Sequence, residues 1–130
     1  MVLALFHTRE FRDYDHLERV LTRLRLRLPA ITQIITTGAP GADPMGARYA
    51  RALGLPVQVL RPNYRRFGRD ARHLLNHQAL AKADALVAFH DGTSQGTLHA
   101  LQEARRRRLP YVIKVLVTVS RAGDQSTPRP

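Results

Sequence analysis

Two glycine-containing segments of the chain have the composition of phosphate-binding loops. They are residues 37–43, TGAPGAD, and residues 90–97, HDGTSQGT. Glycine lets the backbone approach an anion closely and adopt positive φ. Each segment also leads into a predicted helix, whose free N–H groups and dipole favour negative charge. One such loop is weak evidence, because glycines also make ordinary tight turns. Two such loops together favour a phosphate-bearing ligand.

Other residues add candidate donors to these loops. The hydroxyls of Thr93, Ser94 and Thr97 can donate hydrogen bonds to a phosphate. Arg9 follows the first predicted strand and can bind a phosphate through its forked guanidinium, although an ordinary surface arginine is the alternative. Asp43 either contacts a ribose hydroxyl or serves as a helix N-cap.

The elements that must position these residues alternate between strand-like and helix-like segments. The predicted strands are residues 2–6, 33–37, 57–60, 84–89 and 110–119, and the predicted helices are 13–28, 44–53, 71–82 and 97–108. Residues 64–70 are predicted as a loop. This alternation predicts a Rossmann-like three-layer α/β sandwich with a mostly parallel five-stranded sheet. Right-handed crossovers would bring every strand-to-helix loop to the carboxyl edge, where open α/β sheets bind ligands.

Length and composition predict one domain over residues 1–120 and a disordered tail over residues 121–130. The chain has no cysteine and no long apolar run, so we expect a cytoplasmic protein without a membrane span. The formal net charge of +11 would attract polyanions and small anions. Base composition or heat adaptation would also account for that charge.

The chain lacks the residues of several familiar catalytic and ligand-binding motifs. The chain has no Walker lysine and no nucleophile elbow, and residues 7–9, HTR, stand where a dinucleotide fingerprint would be. His73 and His77 have i, i+4 spacing without an acidic residue to complete a zincin-type site. We therefore expect no metal and no cofactor. The four arginines at residues 105–108 suit the last turn of a helix, and a nucleic-acid patch is the alternative.

Four segments in order resemble one known family. Residues 8–9 (TR) resemble its Ser-Arg or Thr-Arg after strand one, and residues 37–43 resemble its Gly-Gly-Ala-x-Gly-Ala-Asp. Residues 61–64 (RPNY) with Phe67-Gly68 resemble its Pro-Ala-Asp-Trp and following aromatic-Gly, and residues 89–97 resemble its Phe-Trp-Asp-Gly-x-Ser-x-Gly-Thr. Over residues 3–115 the chain therefore resembles the YspA-like group of the SLOG superfamily. Relatives of that group include the DNA-processing protein DprA and the LOG cytokinin-activating phosphoribohydrolases.

The resemblance implies a Rossmann-like fold with a nucleotide or nucleotide-derived ligand at the two glycine loops. It also leaves a phage origin open, since the family is often associated with phages. Departures from the family pattern are Thr37 for the first glycine, Asn63-Tyr64 for Asp-Trp, Asp70-Ala71 for Ala-Gly, Leu75 for an arginine and His90 for Trp. Ala100 stands at the position of the catalytic LOG glutamate, which disfavours the LOG reaction.

The sequence is compatible with three functions. The leading one is a module that senses or sequesters a nucleotide derivative, such as an ADP-ribose-like compound. A second is a nucleotide N-glycosidic hydrolase, with Glu10, Asp43 or Asp91 as acid or base. A third is a DprA-like nucleic-acid binder using Arg65, Arg66, Arg69, Arg72 and residues 105–108. A homodimer or higher oligomer is also left open.

We expect the ligand to contact residues from all four loops at the carboxyl edge and from the third helix. Asn76, inside that helix, either faces the pocket or lies on the surface. The predicted ligand-binding residues are Thr8, Arg9, Gly38, Ala39, Gly41, Ala42, Asp43, Asn63, Asn76, Asp91, Gly92, Thr93, Ser94, Gly96 and Thr97.

Overall fold

The sheet has five parallel strands, in a computed structural model that describes residues 1–119. The strands are β1 (Val2–His7), β2 (Gln33–Thr37), β3 (Val57–Leu60), β4 (Ala85–His90) and β5 (Tyr111–Leu116). Their spatial order is β3-β2-β1-β4-β5, and every neighbouring pair is parallel. The central strands are apolar along their length because both faces are covered; all six residues of β4 are buried.

Helices cover both faces of this sheet. They are α1 (Tyr14–Arg25), α2 (Met45–Ala52), α3 (Tyr64–Phe67), α4 (Ala71–Lys82) and α5 (Gln95–Arg106), with a 3-10 turn at Gly68–Asp70. Leu3 and Leu5 of β1 share one core cluster with residues of α1 and α2. Ala4 and Phe6 point to the opposite face and share a second cluster with residues of α4 and α5. The predicted three-layer Rossmann-like sandwich is therefore confirmed, with a fully parallel sheet.

The bounds of several elements differ from the prediction. α1 ends at Arg25, three residues early, although the helical spacing of leucines continues to Leu28; Leu26, just past the helix, is 86% exposed. α5 begins two residues earlier than predicted, at Gln95. β5 ends at Leu116 instead of residue 119. The predicted tail, residues 121–130, lies outside the described residues.

The loop predicted at residues 64–70 is wrong. This segment forms α3 and the 3-10 turn, although none of its residues is buried. The side chain of Asn63 caps α3 by accepting a hydrogen bond from the Arg66 amide at 3.1 Å. A hydrophilic segment without an apolar stripe can therefore still be helical when a side chain satisfies the first free amide.

The N-cap predicted at Asp43 is also wrong. The N-cap residue of α2 is Pro44, which has no side-chain cap bond, and Met45 is the first helical residue. The carboxylate of Asp43 instead pairs with Arg51, at 2.6 Å between Oδ2 and Nη2. Among residues 1–119, no helix has the length and apolarity needed to span a membrane.

Candidate functional site

The carboxyl edge of the sheet brings together the loops that follow β1, β2 and β4. β1 lies between β2 and β4, so its loop is flanked by the two glycine-containing loops. The chain leaves β2 toward α2 on one face of the sheet and leaves β4 toward α5 on the other. The strand order therefore reverses between β1 and β4, and open α/β sheets bind ligands at such a switch point.

Two adjoining cavities open at this edge. The larger has a volume of about 660 Å³ and lies against the loop after β2. The smaller, of about 290 Å³, lies against the loop after β4 and the start of α5. His7, Arg9 and Arg72 line both cavities. The two loops thus face a common space with two arginines in its middle.

The start of α5 presents free backbone donors to the smaller cavity. Asp91 Oδ1 accepts hydrogen bonds from the amides of Thr93 (2.9 Å) and Ser94 (2.7 Å), which fixes the turn before the helix. The amides of Gln95, Gly96 and Thr97 follow in the first turn, where an α-helix offers no backbone acceptor. Ser94 is the N-cap residue, yet its side chain makes no cap bond. This helix start can therefore donate to an external acceptor.

The start of α2 lies close to the sheet at the larger cavity. A Cβ on Gly46 would be 2.8 Å from Thr36 Oγ1 and 3.0 Å from Thr36 Cβ, so only glycine fits there without a shift. Pro44 has no amide hydrogen, and the amides of Met45 and Gly46 are in the unpaired first positions of the helix. In the preceding loop, Gly41 has a φ of 76°. The tight packing holds this second helix start at the edge.

The charges at these two helix starts favour an external anion. Neither α2 nor α5 has an acidic residue in its first turn. By contrast, α1 has Asp13 as an N-cap that accepts from the His16 amide, and Asp15 in its first turn. A carboxylate near a helix N-terminus partly neutralises the dipole. The nearest carboxylates lie in the preceding loops, where Asp43 pairs with Arg51 and Asp91 accepts from the Thr93 and Ser94 amides. Arg9 and Arg72 add positive charge at both cavities.

Ten of the fifteen predicted site residues line these cavities. In the larger cavity they are Arg9, Gly38, Ala39, Ala42 and Asp43, and in the smaller they are Arg9, Asp91, Thr93, Ser94, Gly96 and Thr97. The other five line neither cavity: Thr8, Gly41, Asn63, Asn76 and Gly92.

Three of those five shape the loops around the cavities. Thr8 is fully buried; its amide donates to the Phe89 carbonyl at 2.8 Å, and its Oγ1 accepts from the Asp91 amide at 3.2 Å. Gly92, the residue after Asp91 in the loop that follows β4, has a φ of 94°, a backbone conformation that favours glycine. Asn63 caps α3. Thr8 therefore joins the loop after β1 to the loop after β4.

Asn76 is buried between α4 and α5. Its Nδ2 donates to the Gly96 carbonyl at 3.1 Å and to His99 Nδ1 at 3.0 Å, which one amide group can do because it carries two hydrogens. Asn76 is thus neither a pocket residue nor a surface residue. It holds the first turn of α5, whose amides face the smaller cavity.

His7 brings a neutral imidazole to the centre of the site. Its Nδ1 lies 2.8 Å from the Thr8 carbonyl, so Nδ1 carries the proton and donates it. Burial lowers the pKa of His7 below its ordinary value, and the hydrogen bond to Thr8 opposes this only in part. The Nε2 atom of the neutral ring is therefore a hydrogen-bond acceptor.

Sequence reasoning missed the roles of Arg72 and Tyr64. The sequence places Arg72 only on a candidate nucleic-acid surface, whereas Arg72 lines both cavities. It marks Tyr64 only as a departure from a family motif, whereas Tyr64 lines the larger cavity. The available signal was topological: the segment after β3 returns to the carboxyl edge, so the first turns of α3 and α4 lie there.

The three acidic residues of the enzymatic hypothesis differ in whether they already have a partner within the protein. Asp91 holds the turn before α5, and Asp43 is paired with Arg51. Glu10 lines the smaller cavity. Ala100, at the position of the LOG glutamate, is fully buried in the core.

The basic residues of the nucleic-acid hypothesis fall into two groups at opposite ends of α5. Arg72 lies beside Gly96 at its start, and the other group, residues 105–108, lies in its last turn and just after it. Twelve residues of helix separate the ends by roughly 18 Å. Glu103 accepts from both Arg106 and Arg107, so part of the second group is already paired.

The histidines of α4 and α5 form a cluster without metal-site geometry. His73 and His99 stack with ring centroids 4.0 Å apart, and His77 Nδ1 lies 2.9 Å from Glu103. Among residues 1–119, no group of three or more His, Asp or Glu side chains is arranged to hold a metal ion. Burial and the neighbouring His73 and His77 lower the pKa of His99.

Comparison with known proteins identifies the family. The model of the YspA, cpYpsA-related SLOG family matches residues 2–67, slightly more than half of the chain. The chain belongs to this family. The match covers the loops after β1, β2 and β3, while the loop after β4 and the helix α5 lie beyond it. No curated protein and no solved structure gives a significant match.

Proposed function

We propose that this SLOG protein binds a nucleotide or nucleotide-derived molecule at the carboxyl edge of its sheet. Arg9 and Arg72 line both cavities, the larger beside the start of α2 and the smaller beside the start of α5, and this observation carries the proposal. Such an arrangement suits a ligand that has a phosphate and a second, less polar group. Family membership supports a nucleotide-related ligand of this kind.

The smaller cavity is the proposed phosphate site. The amides of Gly96 and Thr97 and the hydroxyl of Ser94 offer donors there, and Thr93 lines the same cavity. Arg9 and Arg72 add charge-assisted hydrogen bonds, which are about twice as strong as neutral ones. The larger cavity is the proposed site for the rest of the nucleotide, because its volume is within the range of small-molecule pockets.

The walls of the larger cavity support this division. Phe11, Met45, Pro62 and Leu75 give it apolar surface, while the backbone of Gly38 and Ala39 gives it polar surface. Most ligand pockets combine a largely apolar lining with a few placed polar groups. Two of the three acidic candidates for hydrolysis, Asp43 and Asp91, already have partners within the protein, which favours binding and leaves Glu10 as the candidate for catalysis.

Thermal denaturation with a panel of nucleotides tests the proposal. A ligand that binds only the folded state raises the Tm. We expect AMP, ADP or ADP-ribose to raise it for the wild type, and Arg9→Met to abolish most of the rise. Arg19→Met is the matched control, because Arg19 is an exposed arginine on α1 that lines neither cavity.

Two results would count against this function. One is the absence of any shift with millimolar nucleotide. The other is an equal loss of the shift in the Arg9 and Arg19 variants, which would indicate attraction to the net charge alone. Chromatography of the same mixtures reports on hydrolysis: intact nucleotide supports a binding module, and a released base would make the protein an enzyme.

A further inference from the structure

Tyr64 is an exposed aromatic residue at the mouth of the larger cavity. The residue lines that cavity and is 45% exposed. It belongs to α3, a helix of four residues whose position is set at both ends. Asn63 caps its start, and Gly68, with a φ of 56°, ends it by donating to the Tyr64 carbonyl. The ring is therefore held at the cavity by local backbone structure and not by core packing.

The hydroxyl of Tyr64 connects this ring to the proposed phosphate site. Arg72 Nη1 donates to Tyr64 Oη at 3.3 Å. The same guanidinium reaches α5, since a Cβ on Gly96 would lie 3.4 Å from Arg72 Nε and 3.5 Å from Nη2. One side chain thus spans from the aromatic ring of the larger cavity to the helix start of the smaller one.

We propose that Tyr64 makes this site specific for ligands that carry a nucleobase. The ring offers a face on which a base can stack, and the hydroxyl orients Arg72 toward the phosphate. Stacking is tolerant of base identity because every base has a π-face. A sugar phosphate without a base would use the phosphate donors but not the ring. This inference rests on the proposed nucleotide-binding function.

Phe67 provides a matched comparison on the same helix. It is 41% exposed, three residues after Tyr64, but it lines neither cavity. Its ring instead lies beside the Arg66 guanidinium, 5.1 Å from the centroid. The two residues have similar exposure and lie on the same helix, and they differ in that only Tyr64 lines the cavity.

The absence of tryptophan from the sequence makes a direct experiment available. Tyr64→Trp introduces a single indole at the cavity, and Phe67→Trp introduces one just outside it. AMP and ribose 5-phosphate are the probes, because AMP carries adenine where ribose 5-phosphate carries its anomeric hydroxyl and the rest of the molecule is the same. We expect AMP to quench the fluorescence of Tyr64→Trp, ribose 5-phosphate to leave it unchanged, and Phe67→Trp to respond to neither.

Calorimetry separates the ring from the hydroxyl. In Tyr64→Ala, the ratio of the AMP affinity to the ribose 5-phosphate affinity should fall about tenfold, the range of one lost stacking contact. In Tyr64→Phe the ratio should be unchanged, while both affinities fall together because Arg72 loses its partner. Circular dichroism should show all four variants folded, as the substituted side chains are not buried.

The outcomes distinguish this inference from the function on which it rests. If AMP and ribose 5-phosphate lose affinity equally in Tyr64→Ala, or if AMP binds without quenching Tyr64→Trp, base specificity is refuted while phosphate binding stands. If neither probe binds the wild type and no other nucleotide does, the proposed function fails and this inference fails with it.

Discussion

Two glycines occupy the second position of the two helices that start at the site, and only the one in α2 should lose stability when replaced by alanine. Gly46 is the second residue of α2 and Gly96 the second residue of α5. At Gly46 the added methyl would meet Thr36 Oγ1 at 2.8 Å, whereas at Gly96 it would meet the Arg72 guanidinium at 3.4 Å. Thr36 is buried in the sheet, and the guanidinium is the far end of a flexible chain.

The expected magnitude for Gly46→Ala follows from three contributions. Overpacking in a rigid environment typically costs about 1–3 kcal/mol. Thr36 cannot rotate freely, because its Oγ1 donates to the Leu5 carbonyl at 2.7 Å and losing that bond costs about 1 kcal/mol. Higher helix propensity returns up to about 1 kcal/mol. We therefore expect a net destabilisation of about 2 kcal/mol, or a Tm lower by roughly 6–10 °C.

Gly96→Ala has only the propensity gain and an ordinary van der Waals contact, so its stability should be unchanged or higher by up to about 1 kcal/mol. Urea denaturation followed by circular dichroism measures both variants. Replacing Thr36 by alanine in the Gly46→Ala background should recover part of the loss, since Oγ1 is the nearest clashing atom. Equal stability of the two glycine variants would refute the reasoning about how closely α2 packs on β2.

Three further predictions concern the loops and the α4–α5 cluster. The hydrogen bond from Arg106 lowers the pKa of Glu103 to about 2, so Glu103→Gln should cost about 1–2 kcal/mol at pH 7, where the exposed Arg106 is screened by solvent. That contribution to stability is fully present above pH 4.5 and is lost as the pH falls toward 2. Urea denaturation across this range should therefore show a loss of unfolding free energy in the wild type and in the Glu18→Gln control that is smaller in Glu103→Gln. His99, whose pKa is lowered by burial, should titrate below 6.5 by proton NMR, and a midpoint at or above 6.5 would contradict the described packing. Asp91→Ala removes two amide partners and should cost about 1–2 kcal/mol in denaturation, whereas Asp91→Asn should retain most of the stability; equal losses would refute the turn.

Sequence patterns predicted the fold well because the sheet is parallel and buried on both sides. β4 is an unbroken run of buried residues, so its position follows from apolar composition alone. In a parallel sheet, the loops that follow the strands all lie at the carboxyl edge. The parallel arrangement therefore predicts that the loops after β2 and β4 lie at the same edge. α3 was missed because its four residues bury nothing and therefore have no periodic signal.

The finer details of the site depend on contacts between distant parts of the chain. Asn76 binds the Gly96 carbonyl twenty residues away, and no local pattern distinguishes such a residue from a surface asparagine. The position of Arg72 depends on the bend made by α3 and the 3-10 turn before it. The cap of α2 was misplaced by one residue because Asp43 and Pro44 are both favourable near a helix start.

The central claim is that the loops after β2 and β4 form one site for a phosphate-bearing ligand, and a ¹⁵N-resolved NMR titration with AMP tests it most directly. The amides of residues 38, 39, 41–43 and 94–97 should shift together and fit a single Kd, because one molecule would occupy both cavities. Shifts confined to one loop, two different Kd values, or shifts spread over the exposed arginines with neither loop affected would contradict the account.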